Sequence, residues 1–285
     1  MTDDLPTAEI LEVVAAAPVT MLIGTSEAGK TSLTAALASA LVERGLTVAV
    51  VDADVGQSEI GPPTTIGLGR VTRRLGRLGD AEPIALSFVG TTSPVREMTA
   101  IVEGTGRLVD HARALRFERV LVDTSGLVGG DIGRALKRRK IDRVAPDLLV
   151  ALERERECEH IVAPYLARGR PAVLRTRALA APRRRTDTAR REHRARSLAA
   201  YLASAREQRV DLRRVTLRDV RGAAWPAADL NAVLGAIVGL HAEGGELLGI
   251  GVVTALEPPV LVAETPAEAT RATVIVVGRE RYTGR

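Results

Sequence analysis

Gly24-Thr-Ser-Glu-Ala-Gly29-Lys30-Thr31-Ser32 decides how this chain is read. The run fits GxxxxGK[ST], follows the apolar stretch Val19–Ile23, and opens a segment, Lys30–Glu43, whose composition predicts a helix stopped by Gly45. A strand, a glycine turn and a helix start in that order make an anion cradle. The glycines let successive backbone N–H groups curl around phosphate oxygens, and the helix N-terminus adds positive potential. Lys30 then reaches the β- and γ-phosphates, and Thr31 offers a hydroxyl to Mg²⁺. The expected nucleotide-binding set is Gly24, Thr25, Ser26, Glu27, Ala28, Gly29, Lys30, Thr31 and Ser32.

The next apolar run, Thr47–Val51, predicts a second strand and leads into Asp52-Ala-Asp54-Val55-Gly56-Gln57. In a parallel sheet the carboxyl ends of the strands share one edge, so both acids should face the phosphate loop. One can hold the metal's water shell while the other takes a proton from an attacking hydroxyl. Phe117–Asp123 reads as another strand ending in an acid, a second metal-side carboxylate, and Thr124-Ser125-Gly126 follows at once to sense the outer phosphate. Guanine selectivity would call for an NKxD-like stretch after a later strand. Val173–Ala178 supplies no such acid, which favours ATP.

Pro182–Arg196 carries Arg183, Arg184, Arg185, Arg190, Arg191, Arg194 and Arg196 against Asp187 and Glu192. Arg190 and Arg194 are four residues apart and share one helix face. Such a pair can close over ATP as a lid and neutralise the transferring phosphoryl group. A track for nucleic-acid phosphates, a membrane-surface patch and a solvated helix face are the competing readings.

Composition narrows the class. The chain has 285 residues, 46% hydrophobic and 26% charged, with a formal charge of +5. That suits one large α/β domain or a medium domain plus a small one, and excludes wholesale disorder. The longest uncharged apolar candidates, near Val13–Ser26 and Leu230–Leu240, fall short of the ~20 residues a membrane span needs. The acidic start (Asp3, Asp4) is unlike a secretory leader, so a soluble, cytoplasmic protein without membrane association is expected. Cys158, the one cysteine, is expected to be inert near a helix start. The four histidines, His111, His160, His193 and His241, have no zinc-site spacing, so no structural metal is expected. Of 40 basic residues only Lys30, Lys137 and Lys140 are lysines, which makes the placement of Lys30 notable. Six aromatic residues are few for a protein that binds single strands by stacking.

Two zones appear along the chain. Residues 1 to about 208 alternate apolar runs with helical segments. They include a helix over Ala8–Ala17, strands at Ile84–Val89 and Leu148–Leu152, and a helix through Val95–Leu115 in which Gly104 and Gly106 are candidate break points. A polar helix spans Thr186–Arg206, with Ala195, Leu198, Ala199 and Leu202 as its buried stripe. From 209 to 285 short β-like runs follow: Val215–Leu217, Ile237–His241, Leu247–Ala255, Val260–Ala263 and Thr273–Val277. The expected architecture is an α/β P-loop NTPase domain, a mainly parallel sheet flanked by helices, with a small β-rich C-terminal domain.

Taken in order, these segments resemble the polynucleotide 5′-hydroxyl-kinase family of P-loop enzymes. Asp52-Ala-Asp54-Val55-Gly56-Gln57-Ser58-Glu59-Ile60, followed by Pro62-Pro63, is similar to that family's D-x-D-V-G-Q signature. Phe88–Pro94 resembles its G-x-[ST]-[ST]-P segment, Thr124-Ser125-Gly126 its T-x-G segment, and Arg190-x-x-x-Arg194 followed by Tyr201 its arginine lid. The resemblance implies transfer of the γ-phosphate of ATP to the 5′-hydroxyl end of RNA or DNA. It implies Lys30, Asp54, Asp52, Arg190 and Arg194 as the catalytic set, and Thr31, Asp54 and Asp123 at Mg²⁺. Gln57, Thr91, Thr92, Thr124 and Leu127 would meet the substrate, Leu127 standing where many relatives have a tryptophan that stacks on the end base. The alternative is a nucleotide-switched NTPase, metallochaperone-like or an RNA-processing scaffold. Protein partners are not legible.

Overall fold

The computed structural model describes residues 8–178 and 186–282. Asp3, Asp4, Arg183, Arg184 and Arg185 lie outside the described residues. Six helices are described: α1 (Ala8–Ala16), α2 (Lys30–Glu43), α3 (Met98–Ala114), α4 (Gly130–Val144), α5 (Glu159–Arg168) and α6 (Asp187–Tyr201). The first sheet is made of β1 (Val19–Gly24), β2 (Val48–Ala53), β3 (Thr65–Val71), β4 (Glu82–Phe88), β5 (Arg119–Thr124), β6 (Leu148–Glu153) and β7 (Ala172–Arg177).

Strand β1, with every residue buried, sits inside the order β4-β3-β2-β5-β1-β6-β7. Burial on both faces is why the strand reads as a continuous apolar run. Its alternate residues separate the two faces: Val19, Met21 and Ile23 pack with α3, α4 and α5, while Leu22 packs with α1 and α2. Only β3 runs against its neighbours, so β4 emerges at the same edge as the ends of β1, β2 and β5. That edge collects the phosphate loop, the Asp52–Gln57 turn, the Asp123–Gly126 turn and the loop after Phe88.

Two elements, β3 and α6, differ from the sequence expectation, and a third, α3, settles the break the sequence left open. β3 (TIGLGRV) hides its strand character because Gly67 and Gly69 lie flat beneath Ile60; a Cβ at Gly67 would collide with the Ile60 carbonyl oxygen. Helix α3 runs unbroken through Gly104 and Gly106. These glycines admit Ser87 on β4 and the Arg143 guanidinium on α4 at distances a side chain would block. On α6 only Leu198 of the expected stripe is buried, and Ala195 and Ala199 face solvent. The helix stops at Tyr201, and Arg206 already belongs to the second sheet.

That sheet has β8 (Arg206–Asp211), β9 (Thr216–Asp219), β10 (Ala236–His241), β11 (Leu247–Glu257), β12 (Val260–Thr265) and β13 (Val274–Arg281), in the order β8-β12-β11-β10-β13-β9. Ala236, Val238 and Leu240 of β10 face its own small core. Ile237 points the other way and joins Ile250, Val252, Leu198 and Phe88 in a cluster that ties the two sheets and α6 together. No helix among the described residues is long and apolar enough to cross a membrane.

Phe88 is the keystone of that joint: its ring lies over Gly239, where a Cβ would meet it at 2.6 Å. Removing a buried aromatic side chain costs about 3–5 kcal/mol. Phe88→Ala is expected to lose that much unfolding free energy in urea titrations, and a loss under ~1 kcal/mol would mean the cluster does not hold the sheets.

Candidate active site

Backbone geometry builds the cradle first. Gly24 and Gly29 adopt φ of 156° and 89°, and a Cβ at Gly24 would lie 2.5 Å from the Leu152 carbonyl oxygen. Lys30 opens α2 and donates to the Thr25 carbonyl at 2.8 Å, arching back over the loop. The Asp123–Gly126 turn packs directly on this loop, since a Cβ at Gly126 would collide with the Ser26 nitrogen.

Asp52 and Asp54 take different positions although only Ala53 separates them. Asp52 is 1% exposed, and its carboxylate accepts from the backbone N–H groups of Asp54, Glu59 and Ile60 and from the Ser58 hydroxyl. Burial, with Asp123 nearby, pushes its pKa up to about 7. It acts as a peg for the turn. Asp54 lines the open groove, and its Oδ1 accepts from the N–H groups of Gly56 and Gln57 at 3.1 and 3.2 Å. Those bonds fix the side chain beside the cradle.

Thr31 donates its hydroxyl to Asp123 Oδ2 at 2.6 Å, while Asp123 Oδ1 is buried without a hydrogen-bond partner among the described residues. Burial raises the pKa of this carboxyl. A hydroxyl and a carboxylate with an unused oxygen, with Asp54 acting electrostatically on them, suit a hard divalent cation with oxygen ligands. These residues fit Mg²⁺.

One groove of 1460 Å³ is lined by Ser26, Glu27, Gly29, Lys30, Thr31 and Ser32 of the cradle, by Asp54, Gly56 and Gln57, by Thr92 and Pro94, by Thr124–Leu127, and by Arg190, His193 and Arg194 of α6, and it continues away from the cradle along α2, past Ala35, Ser39 and Glu43, to Arg74–Leu78. It exceeds the ~300–1,000 Å³ of an ordinary small-molecule pocket. Arg190 stands 3.8 Å from Glu27, which holds the arginine face of α6 over the phosphate loop. Gly24, Asp52, Thr91 and Asp123 lie behind the groove wall. Thr91 is fully buried and donates to Glu280 of β13.

Four groups escape a reading of the sequence alone. His193 lies between the two arginines, one turn on from Arg190, with a buried Nε2 that has no partner among the described residues. Its spacing from Arg190 is the available signal. Lys137 and Lys140 of α4 are wholly buried beneath the site. Lys137 donates to the Thr124 hydroxyl at 3.0 Å and to the Ser125 carbonyl, and Lys140 to the Ala53 carbonyl at 3.3 Å. The rarity of lysine in the chain is their signal. Glu280 lies far away in sequence and leaves none.

Residues 24–204 match the model of the mRNA cleavage and polyadenylation factor CLP1 P-loop family. The chain belongs to this family. Two solved structures of Clp1p in complex with Pcf11p superpose with TM-scores of 0.76 and 0.74 at 16% identity, covering 96% and 97% of this chain and 78% of each of theirs. They share the fold of both sheets. Polyribonucleotide 5′-hydroxyl-kinases of Pyrococcus horikoshii and Methanocaldococcus jannaschii are 42% and 39% identical over 145 residues, 51% of this chain and 40% of each relative. The chain thus matches about two-fifths of the length of these curated relatives.

The buried lysines give a pH signature. Burial lowers the Lys140 pKa from 10.5 to about 8, so between these values the unfolded chain holds a proton that the folded chain has released. Stability contributed by this group therefore rises with pH across that window. The wild-type minus Lys140→Met difference in unfolding free energy should increase from about pH 7.5 to about pH 10. A difference that stays flat would place the ammonium in a more polar setting.

Proposed function

We propose that this chain is an ATP-dependent kinase that transfers the γ-phosphate to the 5′-hydroxyl end of a polynucleotide, RNA before DNA. The observation that carries the reading is one groove lined by Lys30 and its loop, the Asp54 carboxylate, and the arginines Arg190 and Arg194. The names of the relatives, polyribonucleotide 5′-hydroxyl-kinases, support the acceptor and the preference for RNA.

A primary alcohol is a weak nucleophile in neutral water. Asp54 orients the 5′-hydroxyl and takes its proton as the oxygen attacks the γ-phosphorus, with ADP leaving from the opposite side. Asp52 holds the Asp54 backbone in place. Lys30 and the lid arginines compensate charge on the transferring group, and water is excluded as α6 closes. Thr31 and Asp123 would hold Mg²⁺, with Asp54 close by, and the ion would draw charge from the β- and γ-phosphates. Gln57, Thr92, Thr124 and Leu127 line the acceptor side, Leu127 offering an apolar surface to the first base. The chain up to about residue 205 serves as the catalytic domain and the part from Arg206, three residues earlier than the expected 209, as its β-rich companion. The free, buried Cys158 suits a reducing, cytoplasmic setting.

Labelled ATP with matched oligonucleotides ending in 5′-hydroxyl or 5′-phosphate tests the reading: label should enter the first alone. Rapid ATP hydrolysis indifferent to 5′-hydroxyl ends would favour the nucleotide-switch alternative. Asp54→Asn should keep ATP binding while transfer drops by ~10²–10⁴. Transfer at wild-type rate would remove Asp54 from the base role. Arg190→Ala with Arg194→Ala should lower kcat more than it raises the KM for ATP, since their contacts tighten in the transition state. A pure KM effect would argue against a lid.

A further inference from the structure

We infer that Glu280, carried by the second sheet, is a positioning residue that sets the acceptor wall of the groove. The inference rests on the kinase reading above, and it assigns that wall to a residue from outside the P-loop domain.

Glu280 Oε1 accepts three hydrogen bonds from one loop: from the Thr91 hydroxyl at 3.0 Å, from the Thr92 backbone N–H at 3.0 Å, and from the Thr92 hydroxyl at 3.2 Å. Bonds to an ionised acceptor are about twice as strong as neutral ones, and three converging on one oxygen leave the loop a single arrangement. Thr91 in turn accepts from the Ser93 N–H at 3.1 Å, which carries the constraint to the start of the turn at Pro94. Thr92 and Pro94 face the groove. The same loop abuts the turn that carries Asp54: a Cβ at Gly56, two residues on, would stand 2.9 Å from the Thr92 carbonyl oxygen. A shift of Thr92 therefore changes the space beside Asp54.

The joint around Glu280 has no slack. Arg279 N–H donates to the Gly90 carbonyl at 2.7 Å, and Gly90 meets Gly278 so closely that a Cβ on Gly90 would lie 2.8 Å from the Gly278 Cα. The neighbouring Arg279 side chain reaches the reverse way, to Glu97 at the start of α3, whose buried carboxylate also meets Arg221 at 3.5 Å. Each half of the molecule thus presents a carboxylate to donors of the other. The hydroxyls of Thr91 and Thr92, expected to meet the substrate, are spent on Glu280. Their contribution to acceptor binding is the shape they give the loop.

The lid is tied to the same sheet at a separate point. The Tyr201 hydroxyl, at the end of α6, accepts from the Ile250 N–H at 3.1 Å, and Leu198 packs into the cluster around Phe88. The second sheet is the common abutment of both groove walls, with Glu280 serving the acceptor wall and Ile250 the lid. The two functions should separate by mutation.

The test measures steady-state transfer to a 5′-hydroxyl oligoribonucleotide, and in parallel the direct binding of that oligonucleotide and of ATP by anisotropy. Glu280→Ala should raise the acceptor KM and Kd at least tenfold while the ATP KM and Kd stay within twofold. Glu280→Gln, which keeps a carbonyl acceptor, should recover to within threefold of wild type. Tyr201→Phe should leave acceptor binding unchanged. Urea unfolding of each variant reports whether it folds, and if Glu280→Ala does not, Glu280→Asp, whose shorter side chain draws the accepting oxygen away from Thr91 and Thr92, takes its place with the same expectation. An acceptor Kd unchanged in Glu280→Ala, or in Glu280→Asp where that variant replaces it, or a parallel loss for ATP, overturns the proposal. If the wild type binds 5′-hydroxyl ends without phosphorylating them, the kinase reading fails while the binding arm still decides the role of Glu280.

Discussion

Three carboxyl groups and three lysine amino groups share one edge of the first sheet. Asp52, Asp123, Lys137 and Lys140 are buried behind the groove wall, while Asp54 and the largely buried Lys30 line the groove. An isolated buried ion costs several kcal/mol even after relaxation, so each must be compensated by charge and hydrogen bonds at once. The arrangement does this by spending its charges on backbone. Asp52 gathers the N–H groups of the Asp54–Ile60 turn, and Lys137 and Lys140 cap the carbonyls of Ser125 and Ala53. The turns that carry Asp54 and the Thr124–Gly126 segment are thereby fixed before any substrate arrives. Preorganisation of this kind is what makes electrostatic stabilisation of a transition state effective.

The choice of lysine follows from the same constraint. A guanidinium brings five donors in a rigid fork and would need acceptors for most of them. Beneath the sheet edge Lys140 meets one oxygen and Lys137 meets three. An ammonium at the tip of a thin stem fits that supply, and a chain that otherwise uses arginine keeps its three lysines here.

The parts of this site that are legible in the sequence are those whose chemistry is local. The phosphate loop, the Asp52–Gln57 turn and the Asp123–Gly126 turn each announce themselves by glycines and acids at the end of an apolar run. Strand β3 is hidden because the glycines that let Ile60 and Ala81 approach it also erase its alternation. Lys137-Arg138-Arg139-Lys140 reads as a solvated basic stretch, yet Lys137 and Lys140 fall on the same buried helix stripe as Leu136, Ile141 and Val144. Charge alone argues for solvent. The oxygens that make burial tolerable come from Ala53, Thr124 and Ser125, far from α4 in local pattern. Glu280 depends on a contact across 188 residues to Thr92, which no local pattern encodes.

The two walls of the groove are held in unequal ways, and the inequality suits their tasks. The acceptor loop is fastened by three bonds to one carboxylate oxygen, by backbone pairing of Arg279 with Gly90, and by the Gly56 contact. Helix α6 buries only Leu198 and is secured at its Tyr201 end, with Arg190 reaching Glu27 across 3.8 Å. Segments with few buried apolar contacts open at low free-energy cost, and elements that must move are drawn from them. On the proposed kinase reading, a helix hinged at its far end would lift for nucleotide exchange and return its arginines to the phosphates. On the same reading, a rigid loop would keep the attacking oxygen aligned through each cycle. In-line transfer demands alignment within fractions of an ångström on the acceptor side and tolerates motion on the side that only supplies charge.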